Sequence, residues 1–357
     1  MITTRNEAIP KPQSMKFAVR RALRSSLLEL GSGTKAELSE QLGISFPTVS
    51  KVLEQMTKEG EVHLLGLDES SGGRRANRYA FNPNYMLGLA VYYEKDQSVY
   101  TLFNWNGDLI ERTVEDGILQ AGPEALASQI RNWAHRYPKI RSIAVGMPAS
   151  VRDGIIFHIP SYSAFQDFDL QAYLEEMYSI PVIVENDMNA AVLGYQNLSH
   201  SEEASLVYVY LGHNGPGAGL LINGNVVRGR SFFTGEIGYV PMSGDNNLLH
   251  VLDRRDSVMS SLVEPDEEQI DALSRLSATL TAILNPDAIL WCEHNLLPST
   301  LRSIKDRASA YVPQTHLPEM LLRPWEHDYI AGLQRLAMDM MISDTSTFIN
   351  TTTTNGE

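Results

Sequence analysis

The sequence predicts an α/β protein built from an N-terminal winged helix-turn-helix module and a larger two-lobed α/β segment. Residues 36–56 have the pattern of two short helices joined by a tight turn, and residues 62–81 have that of a β-hairpin. The rest of the chain alternates strand meanders with helices. We therefore place four segments: a flexible arm at 1–14, the winged module at 15–82, the two-lobed effector segment at 83–344 and a disordered tail at 345–357.

The two short helices have clear end signals. Thr34 and Glu37 match the capping box, in which two side chains satisfy orphan amides at a helix start. Gly43 ends this helix, because glycine tolerates the left-handed backbone conformation. Ser45 is a natural N-cap for the second helix, and Pro47 suits its first turn.

The second helix has one apolar face and one polar face. Its apolar residues recur at the spacing of a single buried stripe: Val49, Val52, Leu53 and Met56. The opposite face carries short polar and basic side chains, which suit base edges and phosphates. We expect this helix to contact DNA through Ser45, Thr48, Ser50 and Lys51.

A basic β-hairpin follows the helix pair. Two predicted strands, residues 62–67 and 77–81, flank a tip at 68–76 that carries Arg74 and Arg75. Glycines at the tip allow close approach of the backbone, and arginine favours a narrow minor groove. The hairpin therefore favours DNA binding over the alternative, in which the helices serve protein contacts and the charged tip is only solvated.

The charge is divided unevenly along the chain of 357 residues. The net charge is −14, yet residues 1–82 hold 12 lysines and arginines against 9 acidic residues, while the remainder holds 17 against 34. On the first helix, Arg20, Arg21 and Arg24 are expected to face outward. Because a net charge of +3 is modest, we expect two copies to bind a palindromic operator together, as a homodimer or a tetramer.

The composition excludes several classes of protein. No apolar run approaches the length of a membrane helix, and no signal segment is recognisable. Cys292 is the single cysteine, so an internal disulfide is excluded and a reducing compartment is expected. We therefore expect a cytoplasmic protein without a membrane partner.

Six motifs follow one another in a fixed order: Gly72–Arg75, Ala144–Pro148, Pro181–Asp187, Gly212–Gly219, Gly235–Gly238 and Asn285–Ile289. In this order they resemble the ROK family, named for repressor, open reading frame and kinase. The resemblance extends over residues 15 to 343 and rests on the joint order, because no single motif is decisive. It implies a sugar-kinase-like, actin-like fold with a ligand cleft between two lobes.

The resemblance also implies which residues bind a sugar. In ROK sugar kinases an Asn-Asp pair binds sugar hydroxyls, and its aspartate is the catalytic base; these positions are Asn186 and Asp187. The glutamate of the Gly-Glu-Ile-Gly motif also binds sugar, which implies Glu236. His213 begins a turn similar to that of sugar-responsive ROK repressors, although a tight turn between two strands would also explain its glycines. The alternative for Asp187 is that it only caps the helix after it.

Two departures from the kinase pattern predict that the chain has no ATP-dependent activity and no cofactor. ROK kinases carry an Asp-x-Gly-Gly-Thr turn that approaches ATP phosphates, whereas Leu87–Lys95 has no aspartate, glycine pair or threonine here and carries two tyrosines. Near the adenosine end, Trp291–His294 replace a glycine pair. We expect no catalytic residue, with Asp187 an inactive equivalent of the kinase base.

The zinc site that is usual in the family is also missing from the sequence. The family places a histidine after Gly-Glu-Ile-Gly, followed by a cysteine cluster, but here the position is Tyr239 and no cysteine follows until Cys292. We therefore expect no metal. Tyr239 either gives a hydroxyl to the sugar or fills the space of the histidine, and both interpretations stay open.

These features predict a transcriptional regulator of carbohydrate metabolism, most consistent with a repressor. Its operator binding would be controlled by a sugar or sugar phosphate in the cleft. One alternative is an active sugar kinase with an attached DNA-binding module, which Asp187 supports and the missing phosphate turn opposes. Another is a regulator that responds to a protein partner instead of a sugar.

Overall fold

The computed structural model describes residues 12–67, 76–159, 161–212, 215–252 and 265–343. The chain divides into two compact units. The first holds residues up to Leu87, Asn104–Asp108 and the chain from Met338; the second holds Gly88–Phe103 and Leu109–Ala337. Four predicted features lie wholly or largely outside the described residues: the arm, the tail, the hairpin tip with Arg74 and Arg75, and His213. The first helix begins at Pro12, so residues 12–14 of the predicted arm are helical.

Three helices and a three-stranded antiparallel sheet form the first unit. In chain order its elements are α1 (Pro12–Leu30), β1 (Gly33–Thr34), α2 (Lys35–Leu42), α3 (Phe46–Lys58), β2 (Val62–Leu67) and β3 (Asn77–Phe81). The strand order is β1-β3-β2, and β2 and β3 are antiparallel neighbours. This is the succession of elements that the sequence predicts for a winged module.

The predicted signals at the helix ends are largely confirmed. The Thr34 hydroxyl accepts from the Glu37 amide, the Glu37 carboxylate accepts from the Thr34 amide, and Gly43 has a φ of 60°. All four stripe residues of α3 are buried. Ser45 occupies the N-cap position of α3, but its hydroxyl lies 2.8 Å from that of Thr48 and makes no capping bond.

Arg20 and Arg24 are buried, so the prediction that they face outward is wrong. Arg24 Nε lies 2.6 Å from the Glu61 carboxylate, and Arg20 pairs with the same carboxylate and with Glu59. Glu61 is fully buried and needs these partners, because a buried charge without a partner is strongly destabilising. Of the three arginines, Arg21 alone is exposed.

The second unit has two five-stranded sheets. Its strands are β4 (Leu87–Tyr93), β5 (Gln97–Asn104), β6 (Leu109–Asp116), β7 (Ile140–Met147), β8 (Ser150–Arg152), β9 (Ile155–His158), β10 (Phe168–Asp169), β11 (Val182–Asn186), β12 (Leu206–Gly212), β13 (Gly215–Ile222), β14 (Asn225–Val226), β15 (Pro241–Ser243), β16 (Asn246–Asn247), β17 (Ala288–Cys292) and β18 (Glu319–Arg323). The sheet orders are β11-β7-β4-β5-β6 and β14-β13-β12-β17-β18.

Helices alternate with these strands. They are α4 (Pro123–Arg136), α5 (Leu170–Tyr178), α6 (Asp187–Ser199), α7 (Leu248–Leu252), α8 (Glu267–Leu284), α9 (Pro298–Ala308) and α10 (Trp325–Ser343). Apolar side chains of α8 pack against those of the second sheet and form its core. Within the described ranges, no helix is long and apolar enough to cross a membrane.

The pairing of the strands sets the position of the site. β11 and β7 are parallel and in register, with Asn186 opposite Met147, so their carboxyl ends meet at one edge of the first sheet. β12 and β13 form an antiparallel hairpin in which Gly212 pairs with Gly215. β12 ends at Gly212 and β13 begins at Gly215, so most of the glycine-rich segment is strand. This agrees with a turn between two strands.

Candidate functional site

A small cavity lies at the carboxyl ends of β7 and β11. Its volume is about 80 Å³, and elements of both sheets contribute to its walls. Its polar and aromatic lining includes Ser150, His158, Asn186, Asp187, Arg228, Phe232, Thr234 and Glu236. The structure therefore brings together three of the residues implied to bind sugar: Asn186, Asp187 and Glu236.

Asn186 orients the chain at the start of α6. Its side-chain oxygen accepts from the Met188 and Asn189 amides, both at 3.0 Å, so Asn186 is the N-cap of the helix. Its side-chain nitrogen donates to the Ala149 carbonyl and to Asp187 Oδ1. Both amide hydrogens are therefore used within the protein. Asn186 contributes mainly by fixing the position of Asp187.

Asp187 is a buried carboxylate at the cavity wall. Its Oδ1 accepts from the Met188 amide at 2.7 Å and from Asn186 at 2.8 Å, whereas Oδ2 has no hydrogen-bond partner in the described part of the chain. Burial, with the negative charge of Glu236 as a smaller cause, raises the pKa of Asp187 to about 7. The helix cap is therefore supplied mainly by Asn186, and Asp187 keeps one oxygen available for a ligand.

Glu236 is held on the opposite side of the cavity by a glycine turn. Its Oε1 accepts from the Ser150 hydroxyl at 2.7 Å, and its Oε2 lacks a protein partner among the residues described. Gly235 before it has a φ of 98°, and a side chain there would lie 2.0 Å from the Ala218 carbonyl. Only glycine fits this position, which explains the first residue of the Gly-Glu-Ile-Gly motif.

A buried ion pair supports the base of the cavity. Glu185 is 4% exposed and pairs with Arg228, while its other oxygen accepts from the Asn189 side chain at 3.0 Å and from the Asn186 amide at 2.9 Å. The positive charge of Arg228 compensates the buried charge of Glu185. The sequence reasoning missed Arg228, Ser150 and Phe232, because none of them belongs to a motif that implies sugar binding.

Tyr239 does not line the cavity. Its side chain is 53% exposed, and its ring lies 5.3 Å from that of Phe233. The backbone of Tyr239 stays close to Glu236, since its amide donates to the Glu236 carbonyl at 3.2 Å, but the residue lies outside the cavity wall. Neither a sugar contact nor a gap-filling role is visible at this position, so both interpretations of Tyr239 stay predictions.

The residues predicted to contact DNA from α3 have different surroundings. Ser45 and Lys51 are exposed, and Thr48 is half-buried. Ser50 is bound within the protein, because it accepts from Lys35 at 2.7 Å and donates to Glu54 at 3.0 Å. Lys51 is therefore the exposed cation of this predicted set.

A cluster of five rings occupies the region where the resemblance places the nucleotide of a kinase. The aromatic cluster comprises Tyr92, Tyr210, His294, Trp325 and Tyr329, with centroid distances between 4.9 and 6.1 Å among the contacting rings. Trp325 is 4% exposed and Tyr92 is 1% exposed. Tyr92 comes from the strand in which a kinase would carry its glycine pair.

A second cavity of about 700 Å³ borders the aromatic cluster. Its lining holds more acidic than basic side chains: Glu94, Asp96, Glu293 and Glu326 against Lys95 and Arg112. Arg112 is also paired with Glu326 at 3.4 Å. A wall of this charge disfavours the phosphates of a nucleotide. In the ranges that the structure describes, no group of three or more His, Cys, Asp or Glu side chains could hold a metal ion.

Comparison with known proteins identifies relatives of this chain. Residues 101–261 match the sequence model described as ROK family. The chain contains a ROK family domain. It is 27% identical over 246 residues to the xylose repressor of Bacillus subtilis, covering 66% of this chain and 62% of that one. It is 23% identical over 225 residues to the transcriptional dual regulator NagC of Escherichia coli, covering 59% of this chain and 54% of that one. The matched region thus spans less than two thirds of these relatives.

Solved structures show the same fold. A ROK family transcriptional regulator, described as a homologue of the E. coli MLC protein, superposes with a TM-score of 0.68 at 18% identity and covers 92% of this chain and 98% of that one. A ROK hexokinase from Thermus thermophilus superposes with a TM-score of 0.59 at 20% identity and covers 72% of this chain and 99% of that one. These superpositions confirm the mixed α/β fold, and the sequence match of residues 101–261 supports the predicted family.

Proposed function

We propose that the protein is a transcriptional repressor of carbohydrate metabolism whose operator binding is controlled by a sugar in the cavity. The observation that carries this proposal is that one carboxylate oxygen of Asp187 and one of Glu236 have no protein partner among the described residues, while aromatic rings pack in the region beside the cavity. The xylose repressor and NagC, whose names state a regulatory function, support the DNA-binding half of the proposal.

The sugar would be recognised by its hydroxyl groups. Carboxylates accept hydrogen bonds in two directions at each oxygen, which suits adjacent hydroxyls on one face of a sugar ring. Asp187 and Glu236 would accept from the sugar, and Asn186 would hold Asp187 in place. Hydrogen bonds to charged groups contribute about 1.5–3 kcal/mol each, so two of them give useful affinity even in a small site.

Operator DNA would be read by α3. Lys51 is exposed on this helix and would contact a phosphate, while Thr48 lies about one turn before it and Ser45 is the N-cap. Arg74 and Arg75 would contact the groove next to the major groove that α3 enters, and a homodimer would place two such helices on a palindromic operator. A sugar would act through an unequal affinity for the DNA-bound and free states.

Phosphoryl transfer is the second candidate, and Asp187 is the observation that favours it. A carboxyl group with a pKa of about 7 at the end of β11 is suited to act as a general base. We propose that this chemistry is absent, because Tyr92 and its neighbours occupy the place of the phosphate turn. A coupled ADP-release assay with pentoses and hexoses tests this, and sugar-dependent turnover would support the kinase.

The proposed DNA contact is tested by fluorescence anisotropy with DNA from the upstream region of the protein's own gene. Lys51→Ala is expected to weaken binding and to lower the slope of log K against log salt by about 0.9, the value for one lost phosphate contact. Lys305→Ala is the matched control, because it removes the same charge from an exposed position on α9. If the unaltered protein shows no preference for this DNA over a scrambled duplex, the proposal fails.

A further inference from the structure

Phe232 has a backbone conformation that phenylalanine rarely adopts. Its φ is 57°, in the left-handed region that favours glycine, and a bulky residue there is an outlier. Such strain persists only where the surrounding structure imposes it, and it concentrates at binding sites and clamps. The position of Phe232 therefore calls for a functional explanation.

The neighbouring phenylalanine shows what this conformation achieves. Phe232 lines the small cavity together with Asp187 and Glu236. Phe233 is 47% exposed, packs against Tyr239 and does not line the cavity. Two consecutive phenylalanines thus have different environments, and the strained one is one of the aromatic residues in the cavity wall.

The cavity is small for a ligand site. Its volume of about 80 Å³ compares with roughly 300–1,000 Å³ for typical small-molecule pockets. Carboxylates and Phe232 form different parts of its wall, so a ligand would meet hydrogen-bond acceptors and an apolar ring together. This combination suits a sugar ring, which has polar hydroxyl edges and apolar C–H faces.

We propose that Phe232 determines sugar specificity by narrowing the cleft, so that it accepts an unsubstituted monosaccharide and excludes one with a bulky substituent. This inference rests on the proposed function of the same cavity. A ring in this wall would leave less room beside a bound sugar for an N-acetyl or phosphate group. Glycine at position 232 would remove the ring and would accept the positive φ without strain.

Isothermal titration of the full chain with xylose, glucose, N-acetylglucosamine and glucose 6-phosphate tests the proposal. The unaltered protein is expected to bind xylose or glucose at least tenfold more tightly than both substituted sugars. Phe232→Gly is expected to bind a substituted sugar more tightly, so that the ratio of affinities between unsubstituted and substituted sugars falls at least tenfold. Phe233→Gly is the matched control, and it should keep the original ratio.

Folding of the variants is checked by their melting temperatures without sugar. Phe232→Ala is the second variant, because it removes the ring but keeps a side chain at the strained position, and it should change the ratio in the same direction. If the unaltered protein binds xylose or glucose and both variants keep its ratio of affinities, the inference about Phe232 is wrong, but the proposed function is not affected. If the unaltered protein binds none of the four sugars, the proposed control of DNA binding by a sugar is contradicted as well.

Discussion

Two neighbouring regions of the second unit differ in the side chains that form them. Around the small cavity, Asp187 and Glu236 each keep a carboxylate oxygen without a protein partner in the described chain. Around Trp325, five rings pack together, and four of them are buried, while His294 is exposed. The first region offers hydrogen-bond acceptors to a polar ligand, whereas the second combines buried rings with a neighbouring cavity of about 700 Å³ whose charged lining is mainly acidic. In a ROK kinase, the family pattern places sugar at the first and a nucleotide at the second.

This difference separates recognition from catalysis. A sugar kinase needs both regions, because phosphoryl transfer depends mainly on holding the phosphate donor in position. A sensor needs only the first region. Packed rings in the second could then serve to stabilise the fold.

The largest expected effect comes from the aromatic cluster. Trp325→Ala should lower the free energy of unfolding by about 3–5 kcal/mol, because it removes a large buried ring from a packed cluster. Urea denaturation measures this. Tyr239→Ala, at an exposed ring, should change stability by only about 0.5 kcal/mol. If Trp325→Ala lowers the free energy of unfolding by less than about 1 kcal/mol, packing of these rings does not stabilise the fold as described.

The next effect concerns the small cavity. Asp187→Asn should weaken sugar binding by about 10- to 100-fold, because it replaces a charged acceptor that would bind a hydroxyl. Isothermal titration measures the affinity. Asp153→Asn is the control, since Asp153 is exposed and does not line the cavity. Equal sugar affinities for the unaltered protein and Asp187→Asn would show that Asp187 does not bind the sugar.

The pKa of Asp187 predicts a dependence of stability on pH. Burial raises this pKa from 3.8 to about 7, so between these values the folded state holds a proton that the unfolded state has lost. Stability therefore falls as pH rises from 4 toward 7 and levels off above 7. Comparison of unfolding free energies for the unaltered protein and Asp187→Asn isolates this contribution. A stability difference between the two proteins that stays constant from pH 4 to pH 8 would contradict the raised pKa.

The smallest effect is expected at Tyr239. Because its ring lies outside the cavity wall, Tyr239→Phe should change sugar affinity by less than twofold. The same titration measures it, with Asp187→Asn as the reference for a true loss. A fall of fivefold or more would instead show that the Tyr239 hydroxyl reaches the sugar, and would decide between the two interpretations left open by the sequence.

Local features of the fold were predictable from sequence because their causes are local. The capping box at Thr34, the left-handed Gly43 and the buried stripe of α3 each depend on residues within one or two helical turns. The order of strands and helices followed from the periodicity of apolar residues, with boundaries that shifted by a few residues. The Asn-Asp pair was found through its motif at the end of β11.

Features that depend on distant partners were not predictable. Arg20 and Arg24 have the spacing of an exposed face. Both are buried because they pair with Glu61, which lies 41 residues after Arg20 and 37 residues after Arg24. Arg228 meets Glu185 across 43 residues. The left-handed φ of Phe232 carries no sequence signal, because phenylalanine gives no reason to expect it.

The central claim is that the protein senses a sugar without phosphorylating it. The most direct test titrates labelled upstream DNA with the unaltered protein, with and without the sugar that binds it, and repeats the titration with ATP and magnesium while ADP is followed. We predict that the sugar alone changes the DNA affinity, that ATP adds nothing, and that no ADP accumulates. A DNA response that requires ATP, or ADP that accumulates only when sugar is present, would contradict the claim.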